Sequence, residues 1–186
     1  MDEPCNPGAP LTRRSFVIGV AAATALLARP SLAATLRSPK IRALDLEIIQ
    51  TGERLRTVYW SDGYYVGGAL QEINVLLRDH RTGEMTKIDP RLLDLMFRLK
   101  ARLESSQPFE IFSGYRSPQT NALLARKNRR VAKHSLHMEG KAVDLRVPGI
   151  RVRALRNAAL KLRGGGVGYY PQSQFIHIDV GPVRSW

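Results

Sequence analysis

The sequence predicts a single α+β domain, and three observations predict it. Short segments with apolar residues at every second position interleave with longer ones whose apolar residues fall at helical spacing. Turn signals rich in Gly, Pro and Asp separate them. The chain has 186 residues, 44% hydrophobic and 24% charged, which is ordinary globular chemistry for about one domain and excludes a disordered or fibrous protein.

The first segment reads as an address rather than as fold. Thr12-Arg13-Arg14-Ser15-Phe16-Val17 places paired arginines before the apolar run Phe16 to Ala28. That run is shorter than the about 20 apolar residues a membrane span needs. Ser31-Leu32-Ala33 then offers small residues at both positions of an Ala-x-Ala-like cleavage site. The paired arginines followed by Ser-Phe resemble a twin-arginine export signal. The expected organisation is a removable signal over 1–33, a linker over 34–40 containing Ser38-Pro39, and the folded domain over 41–186. The alternative for the first segment is an amphipathic or lightly anchored N-terminal helix.

The folded part divides as follows. Leu44, Leu46 and Ile48 alternate with Asp45 and Glu47 as in a half-buried strand, and after the turn Thr51-Gly52-Glu53 the segment Leu55 to Trp60 returns as a second strand. Asp62-Gly63 is the next turn, and Ala69 to Leu77 carries one apolar helix face. Asp89-Pro90 predicts a helix start with Asp as N-cap and Pro at the first position, and Leu92, Leu93, Met96, Leu99 and Leu103 form its core stripe. Phe109 to Phe112 is a short strand, and Pro118 opens a helix through Arg126. Lys127 to Lys133 is a basic solvated loop, Ala142 to Val147 a strand ending at Pro148-Gly149, and Ile150 to Leu162 a helix with a basic outer face. Gly164 to Gly168 is glycine-rich, and Phe175 to Val180 is the last expected strand.

Charge and cysteine usage narrow the function. Lys and Arg number 29 against 16 Asp and Glu, a formal net charge of +13, which calls for an anionic partner such as a wall polymer, a membrane surface or nucleic acid. Removal of 1–33 takes away Arg13, Arg14 and Arg29 with Asp2 and Glu3 and leaves a domain near +12, an approximate formal count. Cys5 is the one cysteine, so an intramolecular disulfide and a cysteine-cage zinc site are both excluded. Any metal must be held by His, Asp or Glu.

Of the four histidines, His137 and His177 sit in the most informative stretches, Ser135-Leu136-His137-Met138-Glu139-Gly140-Lys141-Ala142-Val143-Asp144 and Phe175-Ile176-His177-Ile178-Asp179. His137 belongs to a loop and Asp144 to a strand, with Gly140 free to turn the chain between them, while His177 comes from a neighbouring strand. Two imidazoles and one carboxylate leave one position of a tetrahedral zinc open for water, the arrangement of a catalytic site. By spacing alone, a lone loop His is as well read as a hydrogen-bonded surface residue, and a lone strand Asp as the partner of an arginine. Gly164 to Gly168 lacks the Lys-Ser/Thr that would follow in a phosphate loop. Arg126 to Lys133 shows no aromatic interleaving of a nucleic-acid binder. His80, in Arg78-Asp79-His80-Arg81, reads as structural.

The full string Ser-x-His-x-x-Gly-x-Ala-x-Asp resembles the signature of the zinc D-Ala-D-Ala peptidases, a superfamily that also includes lysostaphin-type peptidases and the hedgehog signalling domain. The resemblance spans Phe109 to Trp186 and includes Ser113-Gly114-Tyr115-Arg116-Ser117. Its closing strings, Gly165-Gly166-Val167-Gly168-Tyr169-Tyr170-Pro171 and His177-Ile178-Asp179-Val180-Gly181-Pro182, are similar to those of the exported murein endopeptidases.

The resemblance implies a small, mostly antiparallel sheet flanked by helices, with Zn2+ held by His137, Asp144 and His177. It implies that Arg116 faces the scissile carbonyl, the alternative being a structural ion pair with Asp144. It implies that Ser135 helps to hold substrate, the alternative being a turn-forming hydroxyl. One departure stands out. Many relatives carry a Glu three residues before the last His ligand, or a His two before it, as general base; here Gln174 and Phe175 occupy those positions. Asp179 is then either the base or a carboxylate that orients a ligand His, with the orienting role preferred. A third option is that zinc-bound water needs little help from a strong base. His134 lies outside the motif.

The resulting expectation is a monomeric peptidoglycan endopeptidase that cuts peptide cross-links in the periplasm. It would be delivered by the twin-arginine machinery, with no stable membrane anchor and no nucleic-acid ligand. A D-Ala-D-Ala carboxypeptidase and a non-catalytic, zinc-stabilised wall-binding module are the alternatives. A basic nucleic-acid-binding protein with an uncleaved N-terminus is more remote.

Overall fold

The computed structural model describes residues 40–128 and 131–186. The expected signal, nearly all of the linker, and Arg129 and Arg130 of the basic loop lie outside the described residues. The chain order is β1 (Ile41–Ile48), β2 (Arg54–Ser61), β3 (Tyr64–Tyr65), α1 (Gly67–Leu76), α2 (Pro90–Leu103), β4 (Phe109–Ser113), α3 (Pro118–Lys127), a 3-10 turn (Leu136–Glu139), β5 (Ala142–Arg146), α4 (Val152–Leu162), β6 (Gly166–Tyr170), β7 (Phe175–Asp179) and β8 (Arg184–Ser185). The strands form one sheet in the order β3-β2-β1-β4-β5-β7-β6-β8. The pairs β1–β4 and β6–β8 are parallel and all others antiparallel, so the sheet is mostly antiparallel as expected.

Alternation builds the core. Leu44, Leu46 and Ile48 of β1, Phe109 and Ile111 of β4, Val143 and Leu145 of β5, and Ile176 and Ile178 of β7 join one buried apolar cluster. The α2 residues Leu92, Leu93, Met96 and Leu99 and the α4 residue Leu155 complete it. Helix α2 packs on β1 and on α4, and α4 packs on β6 and β7, so both cover the apolar side of the sheet. Burying each such side chain stabilises the fold by about 1.5–3 kcal/mol relative to leaving it exposed. Because side chains alternate across a strand, the residues between these point the other way. On β5 and β7 those residues are Asp144, His177 and Asp179, all buried.

Capping fixes the helix starts. Asp89 Oδ1 accepts the Arg91 N–H at 2.9 Å with Pro90 at the first position of α2, and Ser117 Oγ accepts the Thr120 N–H at 3.2 Å at the start of α3. Two short strands and one glycine-rich strand were not expected: β3, β8 and β6. Glycine is a poor strand former, so Gly166 and Gly168 hid β6 from a propensity reading. Their reason is close approach: a Cβ on Gly168 would lie 2.8 Å from the Trp186 indole, which the chain end lays across β6. Phe175–Asp179 is consequently not the last strand, since β8 follows and pairs with β6.

Candidate metal centre

Strand register assembles the centre. Asp144 of β5 and His177 of β7 are direct antiparallel partners, so their side chains stand side by side on the same face. His137 arrives from the 3-10 turn that precedes β5. Gly140 ends that turn at φ 65, and a Cβ there would lie 2.4 Å from Lys87 O, so only glycine suits both the conformation and the space.

Three atoms converge. His137 Nε2 lies 3.2 Å from Asp144 Oδ1 and 3.1 Å from His177 Nδ1, and His177 Nδ1 lies 3.0 Å from Asp144 Oδ1. The far side of each imidazole is committed. His137 Nδ1 is 2.7 Å from the Gly114 carbonyl oxygen, and His177 Nε2 is 3.0 Å from Asp179 Oδ2. The Gly114 oxygen can only accept, so His137 Nδ1 carries a proton; with the proton of neutral His177 on Nε2 toward Asp179, the two nitrogens facing Asp144 present lone pairs. Three lone-pair donors held 3.0–3.2 Å apart repel one another unless a positive charge sits among them. A tetrahedral ion with bonds of about 2.0–2.1 Å sets its ligand atoms about 3.3–3.4 Å apart, close to the observed triangle. Among the described residues this is the one cluster of three His, Cys, Asp or Glu side chains able to hold a metal ion.

The electrostatics agree. Burial opposes ionisation of Asp144, but His137 and His177 outweigh it and hold the carboxyl far below its usual range. Burial pushes His137 down, so its neutral, ligating form prevails. Burial also opposes charge on His177, yet Asp144 and Asp179 overcome it and push this imidazole up. The field of those two carboxylates favours positive charge at the cluster, whether proton or metal cation.

Asp179 is fully enclosed, at 0% exposure. Its Oδ1 accepts from the N–H groups of Gly166 (3.0 Å) and Gly181 (2.8 Å) and from Arg184 Nη1 (3.1 Å). Its Oδ2 accepts from Arg184 Nη2 at 2.7 Å and from His177. Burial raises this carboxyl, but His177, Arg184 and the two amides bring it far below its usual range. It stands behind His177, on the opposite side of the ring from the donor triangle.

Arg116 is held over the centre by its neighbours: its N–H donates to His137 O at 3.2 Å and the Tyr115 N–H to Leu77 O at 2.7 Å. Nη2 lies 3.4 Å from both Asp144 Oδ2 and Ser113 Oγ, and the buried Nε has no partner among the described residues. Burial pushes this guanidinium down from its usual range, with Asp144 opposing. Its donor capacity is therefore largely unspent beside the metal donors. The segment is pinned from behind by buried Asp79, which accepts from the Ser117 and Arg81 N–H groups at 2.9 Å each. Burial opposes its ionisation, but bonds from the 117–120 turn and from Arg81 bring its carboxyl down to about 2. Ser135 Oγ accepts the His137 N–H at 3.4 Å at the start of the 3-10 turn and is not among the converging atoms. His134 is exposed, and Gln174, at φ 56, donates its side-chain amide to Pro171 O.

Sequence reading missed Arg184, which clamps Asp179, and Trp186, whose ring centroid is 5.2 Å from that of His177. Neither lies in a periodic segment; only the pairing of β8 with β6 brings them to the centre.

Comparison with known proteins follows the same lines. A family model described as peptidoglycan L,D-endopeptidase MepK matches residues 36–186. The chain is 42% identical over 168 residues to the Escherichia coli K12 protein named peptidoglycan L,D-endopeptidase MepK, covering 90% of this chain and 92% of that one. It is 41% identical over 157 residues to the Haemophilus influenzae protein named probable peptidoglycan L,D-endopeptidase MepK, covering 84% of each. No solved structure matches. Among the described residues no helix is long and apolar enough to cross a membrane.

Proposed function

The chain belongs to the peptidoglycan L,D-endopeptidase family whose model spans residues 36–186, and from that membership we propose that it is an exported zinc peptidase hydrolysing L,D peptide cross-links in peptidoglycan. The observation that carries the reading is the convergence of His137 Nε2, His177 Nδ1 and Asp144 Oδ1 as lone-pair donors, with both far nitrogens pinned. His137, Asp144 and His177 would hold a zinc ion, which would supply the Lewis acidity to acidify a water and polarise the scissile carbonyl.

The chain's own residues do the rest. Gly114 O and Asp179 keep the imidazole protons on the outer nitrogens, so the ligand faces stay open. Asp179 acts through His177 as its orienting partner; its enclosure and its bonds to Arg184 and two amides support that role over proton transfer from water. Arg116 meets the negative charge that develops on the carbonyl oxygen, which its unspent donors beside Asp144 support. Ser135 holds the turn that delivers His137, and we assign its hydroxyl a second role beside the substrate path. Relatives named as endopeptidases favour this activity over a carboxypeptidase.

The remaining parts of the reading come from the sequence. Arg13-Arg14 and Ser31-Leu32-Ala33 support export to the periplasm by the twin-arginine machinery, with cleavage after Ala33. The surplus of Lys and Arg holds the protein near its carboxylate-rich polymer. One observation favours a non-catalytic wall-binding module instead: no acid stands at 174, where many relatives of the wider superfamily carry Glu. Digestion of sacculi with the zinc-loaded protein, followed by separation of the muropeptides, decides between them. Loss of cross-linked dimers, blocked by a chelator and restored by zinc, is the expected result. Sacculi that bind the protein and keep every dimer would sink the enzyme reading.

A further inference from the structure

The polar face of the sheet continues past the metal donors. Two residues on from Asp144 is Arg146, and two residues back from His177 is Phe175, which places both on the same face about 7 Å along the strands. Phe175 packs against Phe112 of β4 at 5.1 Å between ring centroids and against Tyr170 of β6 at 4.7 Å. The Tyr170 hydroxyl accepts from Trp186 Nε1 at 3.0 Å, and Trp186 leans on His177. The aromatic rings thus form an unbroken arc from β4 to the ligand His.

Arg146 stands at the far end of this arc. Its guanidinium lies 5.3 Å from the Phe112 ring centroid, and its Nε donates to Glu110. The terminal nitrogens have no hydrogen-bond partner among the described residues, and the side chain is 39% exposed. A guanidinium held by one edge, backed by an aromatic face and open on its other edge, is a ready receptor for a planar carboxylate.

We propose that Arg146 and the Phe112–Phe175–Tyr170 floor form a substrate subsite in which Arg146 binds a carboxylate of the peptide strand and the rings pack on its aliphatic portions. The proposal rests on the peptidoglycan reading above, and it assigns Arg146 to substrate recognition rather than to the chemical step.

The test uses two probes on the zinc-loaded protein: an uncross-linked muropeptide with a tripeptide stem, which has no cross-link to cut, and the same molecule with its carboxyl groups amidated. Wild type should bind the free form more tightly by about tenfold to a hundredfold. Arg146→Gln should narrow that preference by about tenfold, and Arg146→Lys should recover part of it. Phe175→Ala should weaken both forms alike. On cross-linked dimers, Arg146→Gln should raise KM and leave kcat within about threefold. A preference unchanged in Arg146→Gln, in protein of unchanged Tm, overturns the subsite. Wild type that prefers the free form yet leaves dimers uncut overturns the endopeptidase reading and leaves the subsite standing.

Discussion

The two faces of β5 and β7 are built from neighbouring residues and obey opposite rules. Val143, Leu145, Ile176 and Ile178 are buried in the apolar cluster that residues of α2 and α4 complete, where volume and apolar area decide stability. Asp144, His177 and Asp179 are buried on the reverse side, where every polar atom must find a partner. Burial is nearly equal on the two sides; what differs is how the cost of burial is met. On one side the sheet face is interchangeable apolar material, and on the other a chain of partners runs from Arg184 through Asp179 and His177 to the donor triangle. Substitutions on the apolar face should therefore act on stability, and those on the polar face on metal and turnover.

The sharpest break comes at the proposed ligands. His137→Ala or His177→Ala should abolish stoichiometric zinc and lower muropeptide turnover by at least about a thousandfold. Metal analysis of the folded variants checks the first, and zinc retained in both would disprove the ligand assignment. Next in size is the opposite face: Ile176→Ala, one residue from His177, should cost about 2–5 kcal/mol of unfolding free energy while zinc stoichiometry in the folded protein stays at wild type. Denaturant unfolding with parallel metal analysis measures both. If Ile176→Ala loses zinc while still folded, the two faces are not separable.

Asp179→Asn probes the link between ligand and scaffold. It replaces one of the two acceptor oxygens shared by His177, Arg184 and two backbone amides with an NH2 group, and it removes the charge that pairs with Arg184, while keeping the shape. Zinc affinity should fall by about tenfold to a hundredfold, with turnover recovered at excess zinc. A variant that binds zinc normally and stays inactive would instead make Asp179 the base.

How much of this was legible follows the same division. The apolar face announced itself through period-two and helical patterns, and Asp89-Pro90 and Ser117-Pro118 marked two helix starts to the residue. The convergence of His137, Asp144 and His177 was legible because they sit in two short strings whose spacing is set by a turn at Gly140 and by strand register. Strand β6 was not, because Gly166 and Gly168 are there for what lies over them rather than for strand propensity. Arg184 and Trp186 were invisible for the same reason: their roles arise from the parallel pairing of β8 with β6, a contact no local pattern encodes. Arg146 passed as an ordinary strand residue until its neighbours across the sheet were known.

Ser135 gives the smallest expected effect and tests the boundary between holding the turn and holding substrate. Its Oγ accepts the His137 N–H at a long 3.4 Å, and its carbonyl accepts the Met138 N–H at 2.9 Å. Ser135→Ala removes only the first bond, so the turn should lose about 0.5–1 kcal/mol, near the lower end of capping effects. If the hydroxyl serves the turn alone, Tm falls slightly and KM for cross-linked dimers stays put. If it also contacts the peptide, KM rises by about threefold to tenfold at constant kcat, as loss of a neutral hydrogen bond requires. The proposed placement beside the substrate path requires the second outcome, and a pure stability effect would confine Ser135 to the scaffold that delivers His137.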